Sequence, residues 1–210
     1  MKRIIPHLAR GAPSRRLGLV VALVVSALAP AAPAVAKPAT DTADRAVTRL
    51  TKAEADVVFR QARTDAALEE QVALYMKRTP GGTRISKTEV SYDDGAFVME
   101  FADPARAKAT VLAEPDCPSG WYCFYEGYHY RYPRGRLSDC GWQDLARWNW
   151  QDRMSSYHNT TPRLVFLYNH VDPAHIGDEE LWQMWGYEAW PNLPWPTVDD
   201  KVDHVEKWCP

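Results

Sequence analysis

The chain is apolar before it is periodic: an apolar stretch runs from Leu17 to Leu28, and regular spacing begins only near Thr51. Thr51-Lys-Ala-Glu54 is a capping-box pattern, in which hydroxyl and carboxylate satisfy orphan backbone amides at a helix start. Val57, Val58 and Ala62 follow as a modest apolar stripe. After Thr64-Asp65, Leu68, Val72 and Tyr75 share one face of a second predicted helix, which stops at Pro80-Gly81-Gly82. From Arg84 the period shortens to two. Val90 and Tyr92 alternate with polar neighbours, Asp93-Asp94-Gly95 makes a turn, and Phe97, Met99 and Phe101 alternate again, which predicts a β-hairpin. Beyond Cys117 the pattern is that of aromatic-rich strands, with Leu164-Val-Phe-Leu-Tyr168 as a later apolar one.

Composition divides the chain the same way. All nine tryptophans lie after Cys117, whereas Lys37 to Glu114 is rich in Ala, Thr, Arg and Glu. The divisions read as a signal peptide over 1–36, a disordered leader over 37–50, a helical plus β-hairpin segment over 51–115 and a β domain over 116–210. Lys2, Arg3, Arg10, Arg15 and Arg16 precede the apolar stretch, and Ala34-Val35-Ala36 offers a cleavage site before Lys37. That stretch falls short of the roughly 20 apolar residues that span a bilayer. Export is the expectation, and Ser14-Arg15-Arg16 leaves the general and twin-arginine routes both open. The whole chain carries 25 basic and 27 acidic residues, and loss of those five basic residues leaves a net charge of about −7. Such a surface disfavours nucleic acid, whose phosphates demand Lys and Arg.

Four cysteines, Cys117, Cys123, Cys140 and Cys209, suit an oxidising compartment. Three connectivities are open. Cys117–Cys123 with Cys140–Cys209 is favoured, since the first pair closes a tight loop and the second ties the final strand to the body. The spacing is too wide for a zinc cluster.

The run Cys117-Pro-Ser-Gly-Trp-Tyr-Cys123-Phe-Tyr-Glu-Gly-Tyr-His-Tyr-Arg-Tyr132, answered by Trp150-Gln-Asp-Arg-Met-Ser-Ser156, resembles the core of peptidase inhibitor family 36. These are small secreted bacterial metalloproteinase inhibitors with a βγ-crystallin-like fold. The resemblance implies a mainly β Greek-key sandwich, preceded here by a small α+β segment. Tyr75 to Ile85 and Glu89 to Tyr92 also resemble the region that precedes the inhibitor core, as a propeptide-like docking segment or simply a folded extension. Tyr125 and Tyr130 keep the crystallin-type aromatic spacing, but Tyr132 stands where that motif has glycine. A strained tyrosine is expected there, or a turn shifted downstream to Pro133-Arg134-Gly135.

Gln151 to Ser156 is similar to the calcium-binding turn of βγ-crystallins, and Asp199-Asp200-Lys-Val-Asp203-His204 occupies the matching place later. Both copies are incomplete. Asp152, Ser155, Asp199, Asp200 and Asp203 are candidate calcium ligands, calcium being optional and no other cofactor required. The alternative is that these side chains only hold their turns. Asp172 to Pro196 carries Trp182, Trp185, Tyr187, Trp190 and Trp195, candidates for contact with a target. This stretch reads as a proline-stiffened recognition loop, or as a satellite core capped by a short helix around Glu179–Trp185.

Catalysis finds little support, and no catalytic residue or catalytic metal is assigned. The sequence holds no His-Glu-x-x-His, Gly-x-Ser-x-Gly or phosphate-loop pattern. His170 and His175 with Asp178 could be drawn together by a turn, although scattered histidines usually sit in turns or on surfaces. Three functions follow: a secreted, monomeric inhibitor of an extracellular peptidase, a polysaccharide-binding module using exposed Trp and Tyr, or a calcium-stabilised structural protein. None needs a membrane after signal cleavage.

Overall fold

The computed structural model describes residues 47–105, 114–172 and 176–209, so the expected signal peptide and residues 37–46 of the expected leader lie outside the described residues. Residues 41–210 form one unit. Its first helix, α1 (Lys52–Val58), starts at Thr51, whose amide donates to Glu54 Oε2 at 3.0 Å while Glu54 N donates back to Thr51 Oγ1 at 3.3 Å. Helix α2 (Asp65–Arg78) is capped by Thr64 and buries Leu68, Val72 and Tyr75, the stripe expected from the sequence. Gln71 on the same face donates to Val57 O at 2.8 Å and Arg60 O at 2.6 Å, satisfying carbonyls that the end of α1 leaves without intrahelical partners.

Strand β1 (Thr83–Arg84) pairs with β2 (Glu89–Tyr92), and β2 with β3 (Phe97–Glu100) across the expected turn, where Asp93 and Asp94 adopt φ of 49° and 54°. The hairpin is not isolated. β3 pairs antiparallel with β5 (Arg131–Leu137), Phe97 opposite Leu137 and Glu100 opposite Arg134. One core accordingly takes Leu68 and Tyr75 from the helices, Phe97 and Phe101 from the hairpin, and Phe124, Trp150 and Tyr157 from the aromatic half.

The remaining strands are β4 (Tyr122–Gly127), β6 (Gly141–Asp144), β7 (Ser156–Asn159), β8 (Val165–Asn169), β9 (Glu179–Met184), β10 (Glu188–Trp190) and β11 (His204–Lys207). They form two antiparallel sheets, ordered β1-β2-β3-β5-β4-β7-β10 and β6-β11-β8-β9. In each quartet the first two strands make a hairpin, the fourth returns beside the first, and the third crosses to the opposite sheet. Thus β6 joins β11, and β10 joins β7. This is a doubled Greek key with exchanged third strands, a mainly β sandwich of the βγ-crystallin type. The two disulfides are Cys117–Cys123 and Cys140–Cys209, the favoured pairing.

Two local expectations need correction. The left-handed residues of the β4–β5 turn are His129 and Tyr130, with φ of 55° and 57°, not Tyr132, which lies in β5. Pro133-Arg134-Gly135 belongs to the same strand rather than to a displaced turn. Gly135 is required for packing: a Cβ there would lie 2.3 Å from the Phe124 ring and 2.9 Å from that of Phe97. The segment expected to be a short helix is strand β9, whose backbone finds its partners in β8.

Candidate functional site

Three surfaces gather the polar and aromatic residues singled out in the sequence. The first is where the two long turns meet. Asp152 N donates to Val202 O at 3.1 Å and Asp200 N to Met154 O at 3.2 Å, a reciprocal pair that places the turns as pseudo-symmetric partners. Asp152 and Asp200 share a left-handed backbone, φ 56° and 54°. Asp199, Asp200 and Ser155 come together here, Ser155 Oγ standing 3.4 Å from Asp200 Oδ1. Asp152 and Asp203 fall on the other side. There Arg49 pairs with Asp152 at 3.3 Å, and Asp203 Oδ2 accepts the His170 amide at 2.9 Å. The five candidate ligands therefore split into two half-sites, each with a guanidinium beside it: Arg153 at the first and Arg49 at the second.

Sequence spacing does not reveal Glu126, at the end of β4. Burial pushes its carboxyl up to about 8; Arg153, 3.3 Å away, opposes the shift, while Asp200 and Asp199 add to it. Burial also raises Asp200, with Asp199 reinforcing the effect. Tyr128 donates its hydroxyl to Asp199 Oδ2. Glu126 Oε2 and Asp199 Oδ1 are buried without a hydrogen-bond partner. Unpaired carboxyl oxygens beside a hydroxyl and a second aspartate make an oxygen-rich cluster, with Arg153 at its edge, whose donor type fits a hard cation.

The second surface is an aromatic rim. Trp185, Tyr187 and Trp195 are 60%, 73% and 72% exposed, and Trp190 is 38% exposed, whereas Trp182 is half-buried and packs against the core. The rim is braced from beneath. Asn159 Nδ2 donates to the carbonyls of Arg163, Met184 and Trp185 at 2.7, 3.3 and 3.1 Å. Tyr187 N donates to Thr161 O at 3.0 Å, and Glu188 Oε2 accepts both the Tyr157 hydroxyl at 2.6 Å and the Trp185 amide at 3.1 Å. At Gly186 a Cβ would meet the Pro162 backbone at 2.7 Å. The stretch expected as one recognition loop is thus two strands, β9 in one sheet and β10 in the other, with a tightly held turn between them.

The third is a group of His170, Asp178 and His204 at the end of the smaller sheet, whose potential ligand atoms lie within 4.8 Å of one another. The sequence had linked His170, His175 and Asp178. His175 lies outside the described residues, and His204, which spacing gave no reason to include, joins because β11 lies beside β8.

Strand exchange, the paired turns and the aromatic corner define a βγ-crystallin-type double Greek key. Residues 112–172 match the model of Peptidase inhibitor family I36, a stretch that spans the first Greek key and the first strand of the second. No curated protein matches the chain. Solved structures that overlap it include a βγ-crystallin domain from Clostridium beijerinckii, at 20% identity and a TM-score of 0.34, covering 42% of this chain and 97% of that one. Another is a βγ-crystallin domain from Flavobacterium johnsoniae, at 23% identity and a TM-score of 0.34, covering 41% and 92%. A βγ-crystallin from Ciona intestinalis overlaps at 16% identity and a TM-score of 0.34, covering 42% and 100%.

Proposed function

We propose that the protein is a secreted, non-enzymatic inhibitor of an extracellular peptidase, of the metallopeptidase class, and that the rim from Trp185 to Trp195 is what it presents. The match of residues 112–172 to the inhibitor family carries the proposal. The mechanism proposed with it rests on a pre-ordered turn. A turn whose backbone is already fixed by Asn159, Thr161 and Glu188 enters a cleft without first being ordered, avoiding about 0.5–1.5 kcal/mol for each rotamer-rich side chain immobilised. Its aromatic faces provide the area typical of binding anchors. Incubation of the disulfide-bonded protein with thermolysin-like and serine peptidases is the test. Inhibition of the former at micromolar concentration, weakened by Trp185→Ala, is expected; full peptidase activity at that concentration sinks the proposal.

Calcium is proposed as a stabilising ligand at Ser155, Asp199, Asp200 and Glu126, because two buried carboxylate oxygens there lack partners. A ligand held by the native state alone raises the melting temperature by mass action. Calcium should raise it over a chelator control, and Asp200→Asn should abolish the difference. An unchanged melting curve removes calcium from the account.

A second reading, polysaccharide binding, is favoured by the exposure of Trp185, Tyr187 and Trp195. Retention on insoluble glycans without peptidase inhibition would select it.

A further inference from the structure

The two Greek keys solve one problem differently. In the first, Ser156 at the start of β7 clamps the folded hairpin β4–β5: its hydroxyl donates to Gly127 O at 2.7 Å and accepts the Tyr130 amide at 3.1 Å. The pseudo-equivalent residue at the start of β11 is His204. An imidazole cannot repeat that short hydroxyl bridge. It faces instead two side chains from the ends of the corresponding hairpin, β8–β9. His204 Nδ1 lies 3.5 Å from Asp178 Oδ2, and His170 Nε2 lies 3.9 Å from the same oxygen.

From this we propose that His170, Asp178 and His204 bind a late first-row divalent metal ion, zinc foremost, which clamps the second hairpin as Ser156 clamps the first. Two imidazoles and a carboxylate are a donor set that zinc takes with water in the fourth position, at about 2.0–2.2 Å from each donor, so neighbouring donors stand ~3.4 Å apart. Two of the three separations are already within half an ångström of that spacing, and no pair exceeds 4.8 Å. Nitrogen donors select this ion over calcium, which takes oxygen.

The surroundings hold the donors in place. Asp178 Oδ1 accepts the Val171 amide at 3.4 Å, which turns Oδ2 toward the histidines, and Asp203 accepts the His170 amide at 2.9 Å. Tyr168 stacks on His204 with ring centroids 4.6 Å apart, and the Trp142 ring lies 6.4 Å from that of His170 at an interplanar angle of 16°. Supporting contacts of this kind orient metal ligands. The side chains of His170, Asp178 and His204 are only 14%, 9% and 4% exposed. The site is separate from the acidic pocket at Asp199 and Asp200 in donor chemistry and in residues.

Calorimetric titration of the untagged, disulfide-bonded protein with zinc chloride alone, in calcium-free buffer, tests the proposal. One equivalent should bind, and cobalt(II) in its place should give the visible absorption of a tetrahedral nitrogen and oxygen site. His170→Gln and Asp178→Asn should each weaken zinc binding at least as much as the roughly 10–100-fold lost with an outer-shell partner. His204→Ser, which restores the residue type of the first Greek key, should abolish the cobalt spectrum while keeping the far-ultraviolet dichroism. Asp200→Asn should bind zinc as the parent does. Absence of zinc binding to the parent, or unchanged binding by both His170→Gln and Asp178→Asn, overturns the proposal.

Discussion

Glu126 shows how one side chain ties stability to pH. Its folded value, about 8, stands above the ordinary 4.5 because burial disfavours the charged form. The native state thus holds this proton more tightly than the unfolded chain does. The resulting stabilisation is complete below 4.5 and is lost as pH rises through 8. In chelator, the urea midpoint should fall over that window and Glu126→Gln should flatten the fall. Ser156 is simpler. Removing its hydroxyl strands the Tyr130 amide, so Ser156→Ala should destabilise the fold by about 1–3 kcal/mol, read from equilibrium urea unfolding. The serine was visible in the sequence because its turn has a recognisable spacing. Glu126 was not, since its neighbours Asp199 and Asp200 lie more than seventy positions downstream.

Among the elements, the hairpin and the aromatic half are joined by more than backbone pairing. Arg134 on β5 is buried between Glu100 at 2.6 Å and Asp116 at 2.7 Å, and Arg136 reaches Glu89 at 2.7 Å. Removing one member of such a set leaves an uncompensated charge, so Arg134→Ala should destabilise by about 3–5 kcal/mol in chemical denaturation. Gly186→Ala tests the rim. The added methyl would lie 2.7 Å from the Pro162 backbone, so the turn must shift: inhibition should weaken and the melting temperature should fall with it. The helices and the hairpin were legible because each buries one stripe against the core, and its period survives in the sequence. Strand β9 was not. Glu179, Glu180, Leu181 and Trp182 all stay partly or wholly exposed at the sheet edge, so no inward-facing set marks its period of two.

For the whole molecule, the doubled Greek key was legible from the first aromatic run and its partner turn, whereas the second quartet gave a weaker signal. The sheet continuing from β5 into the hairpin left no local mark, because pairing between distant strands is set by shape and register rather than by composition. Deleting residues 47–105 would expose the faces of Phe124 and Trp150 that Phe97 and Phe59 now cover. Such a truncation should yield insoluble or loosely packed protein, checked by near-ultraviolet dichroism. Reducing Cys140–Cys209, which closes a separation of 69 residues, should cost about 2–5 kcal/mol of stability.

The exchange of β6 and β10 has a consequence for a protein proposed to meet peptidases. Pro162 and Arg163, in the connection between β7 and β8, are exposed, and a cut placed there separates the two Greek keys in sequence. A nick there frees neither half, since each has lent a strand to the other's sheet and Cys140 is bonded to Cys209 across the cut. The clipped protein should run as two bands on a reducing gel and one on a non-reducing gel. Damage at the waist of this molecule is survivable by construction.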